Sequence, residues 1–126
     1  MTGKLDGLDP SILAVLERLE QDFDQTIIVT SGKRAGLEND ALVKLGTAKP
    51  NSAHLTGLAV DVAAPTSGDR FRLVLSALLS GVTRIGIGTT FVHLDVDTSK
   101  PQKVLWLYPC PLKHLEAGQP VGRTGA

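Results

Sequence analysis

Apolar positions along this chain repeat with two different periods. Ile12, Val15, Leu16, Leu19 and Phe23 recur at helical spacing, which predicts one amphipathic helix over residues 10–23. Asp9-Pro10 precedes it as an N-cap and a first-turn proline, where proline's missing N–H has no intrahelical partner to lose. A second helix is expected from Asp69 to Leu79, with Phe71, Val74, Leu75, Leu78 and Leu79 on its core face and Gly81 as its stop. A short helix over 38–46 is expected to end at Gly46, and Thr47 to Ala53, with Pro50 and Asn51, reads as a loop.

Elsewhere the period is two, as for strands with one apolar face. Gln25 to Thr30 is a β-branched strand closed by Ser31-Gly32. In Leu58 to Val62, Leu58, Val60 and Val62 alternate with Ala59 and Asp61, so Asp61 points away from the main core. In Phe91 to Val96 the same parity separates Val92, Leu94 and Val96 from Phe91, His93 and Asp95. Arg84 to Gly88 and Phe91 to Val96 form a hairpin around Gly88-Thr-Thr90, and Lys103 to Tyr108 is a last strand. The expected class is α+β, a small antiparallel sheet with helices packed on one side.

Length and composition narrow this further. With 126 residues, 42% of them hydrophobic, the chain is expected to be one domain over 1–126. Its core spans about residues 9–108, and the Gly- and Pro-containing tail over 109–126 is expected to be poorly ordered. Thirteen basic residues balance thirteen acidic ones and are scattered, so no nucleic-acid partner is expected. No apolar run reaches a membrane span, and the polar start lacks a signal peptide's apolar core. A soluble monomer made in the cytoplasm, with no membrane partner, is expected. The single Cys110, between two prolines, excludes an internal disulfide and a cysteine-rich metal site. The glycines of Ile85-Gly-Ile-Gly88 lead into a strand rather than a helix. They are strand glycines leaving open space on the polar face, not a phosphate loop.

The candidate chemistry lies on the polar strand faces. If the Asp61 and His93 strands are antiparallel neighbours, the two side chains come within cross-strand reach. His54 then joins them from the preceding loop, where Gly57 permits a turn. Two imidazoles and a carboxylate suit zinc and leave a coordination position open, as catalytic zinc sites do. Asp95 remains beside them. Either segment alone would be an ordinary solvated or hydrogen-bonded strand; their coincidence makes the metal reading.

The pattern S-x-H-x-x-G-x-A-x-D over 52–61, followed by Phe91-Val-His-Leu-Asp95, resembles the zinc D-alanyl-D-alanine carboxypeptidase family. That family includes D,D-dipeptidases and phage L-alanyl-D-glutamate endopeptidases, and shares its fold with the amino-terminal domain of hedgehog signalling proteins. The likeness extends upstream to Ile27-Ile-Val-Thr-Ser-Gly-Lys-Arg34 and downstream to Trp106. It implies Zn2+ held by His54, Asp61 and His93, with Arg34 and Ser52 as substrate-binding residues. The better-known members of the family carry a catalytic Glu, Asp or His two or three residues before the last zinc histidine. Phe91 and Thr90 stand there instead, and neither transfers protons.

The resemblance implies zinc-dependent hydrolysis of peptide bonds in peptidoglycan stem peptides or cross-links, by a carboxypeptidase or endopeptidase. Asp95 is the candidate catalytic base; alternatively its carboxylate only hydrogen-bonds a ligand histidine. The expected partner is a peptidoglycan peptide. Action on the cell wall after phage-mediated release, as an endolysin, fits the lack of an export signal. The competing reading is a non-catalytic, zinc-stabilised binding domain of the hedgehog-like fold.

Overall fold

The computed structural model describes residues 1–22, 26–33 and 53–109. Phe23, Arg34, the expected helix over 38–46, Ser52, Cys110 and the tail beyond Pro109 lie outside them. Among the described residues the chain runs β1 (Thr2–Gly3), α1 (Pro10–Asp22), β2 (Ile28–Ser31), a 3-10 turn (Ala53–Thr56), β3 (Ala59–Ala63), α2 (Ser67–Leu79), β4 (Arg84–Ile87), β5 (Phe91–Asp95) and β6 (Val104–Leu107). The α+β class is as expected.

The strands form one six-stranded sheet in the order β1-β2-β3-β5-β4-β6. Its centre is antiparallel: β2 with β3, β3 with β5, and β4 with β5. Both edges are parallel, β1 with β2 and β4 with β6, so the sheet is mixed rather than purely antiparallel. The two-residue β1 carries no periodic signal by which a sequence could announce it.

Strand parity sorts the two faces as the sequence predicts. Val60, Val62, Ile85, Val92 and Leu94 pack with Ile12, Leu16 and Leu19 of α1 and with Leu73 and Ala77 of α2. This is the core. Asp9 caps α1, its Oδ1 accepting a hydrogen bond from Ser11 N at 2.9 Å, and Thr66 caps α2 through Asp69 N at 3.0 Å. No helix of the described residues is long and apolar enough to cross a membrane.

The core face expected for the second helix is overturned. Phe71, Leu75, Leu78 and Leu79 are exposed, whereas Leu73 and Ala77 are buried; only Val74 of the expected set is partly buried against the core. With Leu73 and Ala77 against the sheet, Arg70 on the same side of the helix donates from its guanidinium to Ala64 O at 2.9 Å and Thr89 O at 2.5 Å. The small Ala77 lets the helix lie close on the sheet.

Candidate metal centre

The face of the sheet opposite the core carries two aligned rows of side chains. Ser31, Asp61, His93, Gly86 and Trp106 are successive cross-strand partners through β2, β3, β5, β4 and β6. One residue pair along, Ala59, Asp95, Arg84 and Val104 make the second row. The antiparallel pairing of Asp61 with His93 expected from sequence is present, and Nδ1 of His93 lies 3.0 Å from Oδ1 of Asp61.

His54 arrives on the 3-10 turn, which Thr56 closes by donating its hydroxyl to Ala53 O at 3.0 Å. Gly57 follows at φ +75°, a conformation that residues with a Cβ resist, and a Cβ there would run into Gly7 O. The turn is tied down as Gly57 O accepts Asp9 N at 2.9 Å. The His54 side chain is buried, its Nδ1 2.7 Å from Gly32 O and its Nε2 3.4 Å from Asp61 Oδ1. His54, Asp61 and His93 each offer one ligand atom, all within 4.8 Å of one another.

The outer contacts of the imidazoles decide what the inner atoms can do. A carbonyl oxygen only accepts, so His54 carries a proton on Nδ1 and turns Nε2 inward. Nε2 of His93 lies 2.8 Å from Oδ2 of Asp95. Asp95 is buried, which pushes its carboxyl up; hydrogen bonding to His93, the Asp97 amide and the Arg84 charge outweigh this and hold it below the usual range. Both His93 nitrogens face carboxylate oxygens, Nδ1 that of Asp61 and Nε2 that of Asp95. The neutral tautomer that donates through Nε2 presents a bare Nδ1 to the cluster. Two bare nitrogens and a carboxylate oxygen converging on one point repel unless a cation lies among them. Ligand histidines whose other nitrogen donates to a carbonyl or a carboxylate are the usual arrangement around a metal. The donor set thus fits a divalent metal of the zinc type.

Protonation of His93 is the other way to relieve that repulsion. Burial pulls its pKa down, but hydrogen bonds to Asp61 and Asp95 raise it above its ordinary value. For Asp61, burial pushes the carboxyl up, and the two facing imidazoles bring it down to about 2. The site is built to hold positive charge.

Asp95 is enclosed. Only 1% of it is exposed, and Oδ1 accepts from Arg84 Nε at 2.7 Å and Asp97 N at 3.2 Å while Oδ2 faces His93. Arg84 was not among the residues that sequence reasoning singled out. Its signal was available: alternation in Arg84-Ile-Gly-Ile87 puts the charge on the polar face, opposite Asp95. The space expected beside the strand glycines is filled. A Cβ on Gly86 would meet the Trp106 and Tyr108 rings at 2.5 Å, and one on Gly88 would run into Phe91. These rings wall one side of the centre, with Trp106 5.3 Å from the His93 ring. Arg34 and Ser52 lie outside the described residues.

The family model described as Peptidase M15 matches residues 2–95, a span that contains His54, Asp61 and His93. The chain belongs to the peptidase M15 family. M15 peptidases are metallopeptidases, in keeping with the converging donor set. Among solved structures, this M15 chain is similar to the L-Ala D-Glu endopeptidase ChiX of Serratia marcescens, with a TM-score of 0.57 and 21% identity. The likeness covers 75% of this chain and 84% of that one, and at that identity it is a likeness of fold. No curated protein matches this M15 chain.

Proposed function

We propose that this chain is a zinc-dependent peptidase that hydrolyses peptide bonds in the stem peptides or cross-links of bacterial peptidoglycan. The observation that carries the reading is the convergence of His54 Nε2, Asp61 Oδ1 and His93 Nδ1, each imidazole anchored through its other nitrogen. Family membership supports peptide hydrolysis. The ChiX name, L-Ala D-Glu endopeptidase, makes that bond the first to test, ahead of D-Ala-D-Ala. The proposed place of action is the cell wall.

Bound zinc supplies a Lewis acid for the scissile carbonyl and brings the pKa of a coordinated water to about 7. The chain's own residues hold and aim the metal. His54 is fixed by Gly32 O, His93 by Asp95, and Asp61 by its place on β3 between them. Arg34 would pair its planar fork with a substrate carboxylate, and Ser52 would contact substrate beside His54. For Asp95 we favour holding His93 over proton transfer. A general base must reach the proton it removes, and both oxygens of this buried carboxylate are engaged.

The test is metal analysis of the purified protein followed by digestion of peptidoglycan with mass identification of the products. Stoichiometric zinc with new stem-peptide fragments, both lost in His93→Ala, is the expected result. Zinc without any peptide product would instead favour a non-catalytic, zinc-stabilised binding domain. That second reading draws on one observation, the absence of a proton-transferring side chain at Thr90 and Phe91. No stoichiometric zinc would end the metal reading.

A further inference from the structure

Asp95 is not the end of the chain of contacts that begins at the candidate metal centre. Arg84, directly opposite it across β4 and β5, donates from Nε to Asp95 Oδ1 at 2.7 Å. The same guanidinium donates from Nη1 to Pro101 O at 2.6 Å. Its Cζ also sits 5.2 Å from the Trp106 ring centroid, within the range of a cation–π contact. The Arg84 side chain is only 12% exposed. Three restraints from three different segments leave it little freedom.

We propose that Arg84 is a positioning residue for the metal centre, acting through Asp95 to orient His93. The inference rests on the zinc reading given above. Its geometry is specific: Arg84 occupies Oδ1, which leaves Oδ2 for His93 Nε2 and stops the carboxylate from rotating about its Cβ–Cγ bond. Nδ1 of His93 is then the nitrogen turned toward His54 and Asp61. Removing the guanidinium leaves Oδ1 held only by the longer Asp97 N contact at 3.2 Å, so the carboxylate turns more freely and holds the imidazole less firmly. Carboxylates that orient ligand histidines matter about 10–100-fold in metal affinity or activity, and Arg84 inherits part of that effect.

A purely structural role for Arg84, neutralising a buried carboxylate, makes a different prediction. It would lower thermal stability without selective loss of zinc affinity, and lysine would replace it fully. The experiment measures zinc affinity by competition with a chromophoric chelator, alongside thermal unfolding of the same samples. The proteins are wild type, Arg84→Met, Arg84→Lys, Asp95→Asn and the Arg84→Met/Asp95→Asn double variant. Arg84→Met keeps the aliphatic packing but has no donor. It is expected to bind zinc roughly tenfold or more weakly, with almost no further loss when added to Asp95→Asn, because the two act as one unit.

Arg84→Lys keeps the charge but not the fork, and is expected to recover stability while leaving zinc affinity below wild type. Should Arg84→Met fail to fold, the lysine variant carries the test, and wild-type affinity in it overturns the proposal. Additive losses in the double variant overturn it too, as does zinc affinity in a folded Arg84→Met equal to wild type. In these cases the zinc reading stands. Wild type that takes up no zinc overturns the zinc reading, and the positioning role falls with it.

Discussion

His93 and Asp61 face each other across two antiparallel strands, with Nδ1 3.0 Å from Oδ1. The pairing is non-local but follows from register: once β3 and β5 are aligned through Val60–Leu94 and Val62–Val92 in the core, the intervening polar residues must meet on the other face. Burying one face therefore assembles the other. His54 completes the set because the turn at Gly57 and the Gly32 carbonyl hold its ring over the same spot.

Asp95→Asn distinguishes the two roles open to this carboxylate. A residue that orients His93 should lower zinc affinity about 10–100-fold on substitution, with hydrolysis falling in step at limiting zinc. A general base should leave zinc affinity near wild type while kcat falls about 10²–10⁴-fold even at saturating zinc. Chelator competition and product formation on the same samples separate them. We expect the first pattern.

The pH response of stability should change sign with zinc. His93 has a raised pKa in the metal-free fold, so its contribution is fully present below the ordinary value of about 6.5 and is lost as pH rises through the raised one. Asp61 is depressed to about 2; its contribution is present above the ordinary carboxylate value and is lost as pH falls toward about 2. With chelator present, the unfolding temperature should therefore fall as pH rises above about 6.5 and through the raised His93 value. Zinc needs the imidazoles deprotonated, so its added stabilisation should grow over the same range. Thermal unfolding with and without zinc checks both. A zinc increment that shrank with rising pH would contradict the ligand set.

The rotation of α2 sets a contrast between neighbouring apolar residues. Leu73 is 2% exposed, and Leu73→Ala should cost about 2–5 kcal/mol through lost burial and a cavity. Phe71 and Leu79 are 69% and 71% exposed. Phe71→Gln and Leu79→Gln should each change stability by no more than about 0.5 kcal/mol. Urea unfolding of the three variants measures this directly. Large losses at Phe71 and Leu79 with little at Leu73 would mean that the helix buries the face expected from its apolar spacing.

Legibility in the sequence followed physical locality. The parity of 58–62 and 91–96 was readable because a strand with one buried face must alternate, and that alternation put Asp61, His93 and Asp95 on one side. Helix α1 was readable because its single apolar stripe is also its buried one. Helix α2 was not. It carries apolar residues on two stripes, and helical spacing cannot tell which of them the sheet will cover. The observed rotation brings Arg70 to Ala64 O and Thr89 O, contacts between segments that no local pattern displays.

By itself, then, the sequence determined the strand faces, the α+β class and the three residues that converge on the candidate metal, since backbone pleat and helical pitch act over a few residues. Tertiary structure alone decided the parallel edge pairing of β6 with β4, the aromatic wall over Gly86 and the enclosure of Asp95 by Arg84 and His93. Those depend on which side chains meet across strands. From sequence, a carboxylate two residues from a ligand is open as a base or as that ligand's hydrogen-bond partner; whether both its oxygens are already engaged depends on neighbours that only folding brings together.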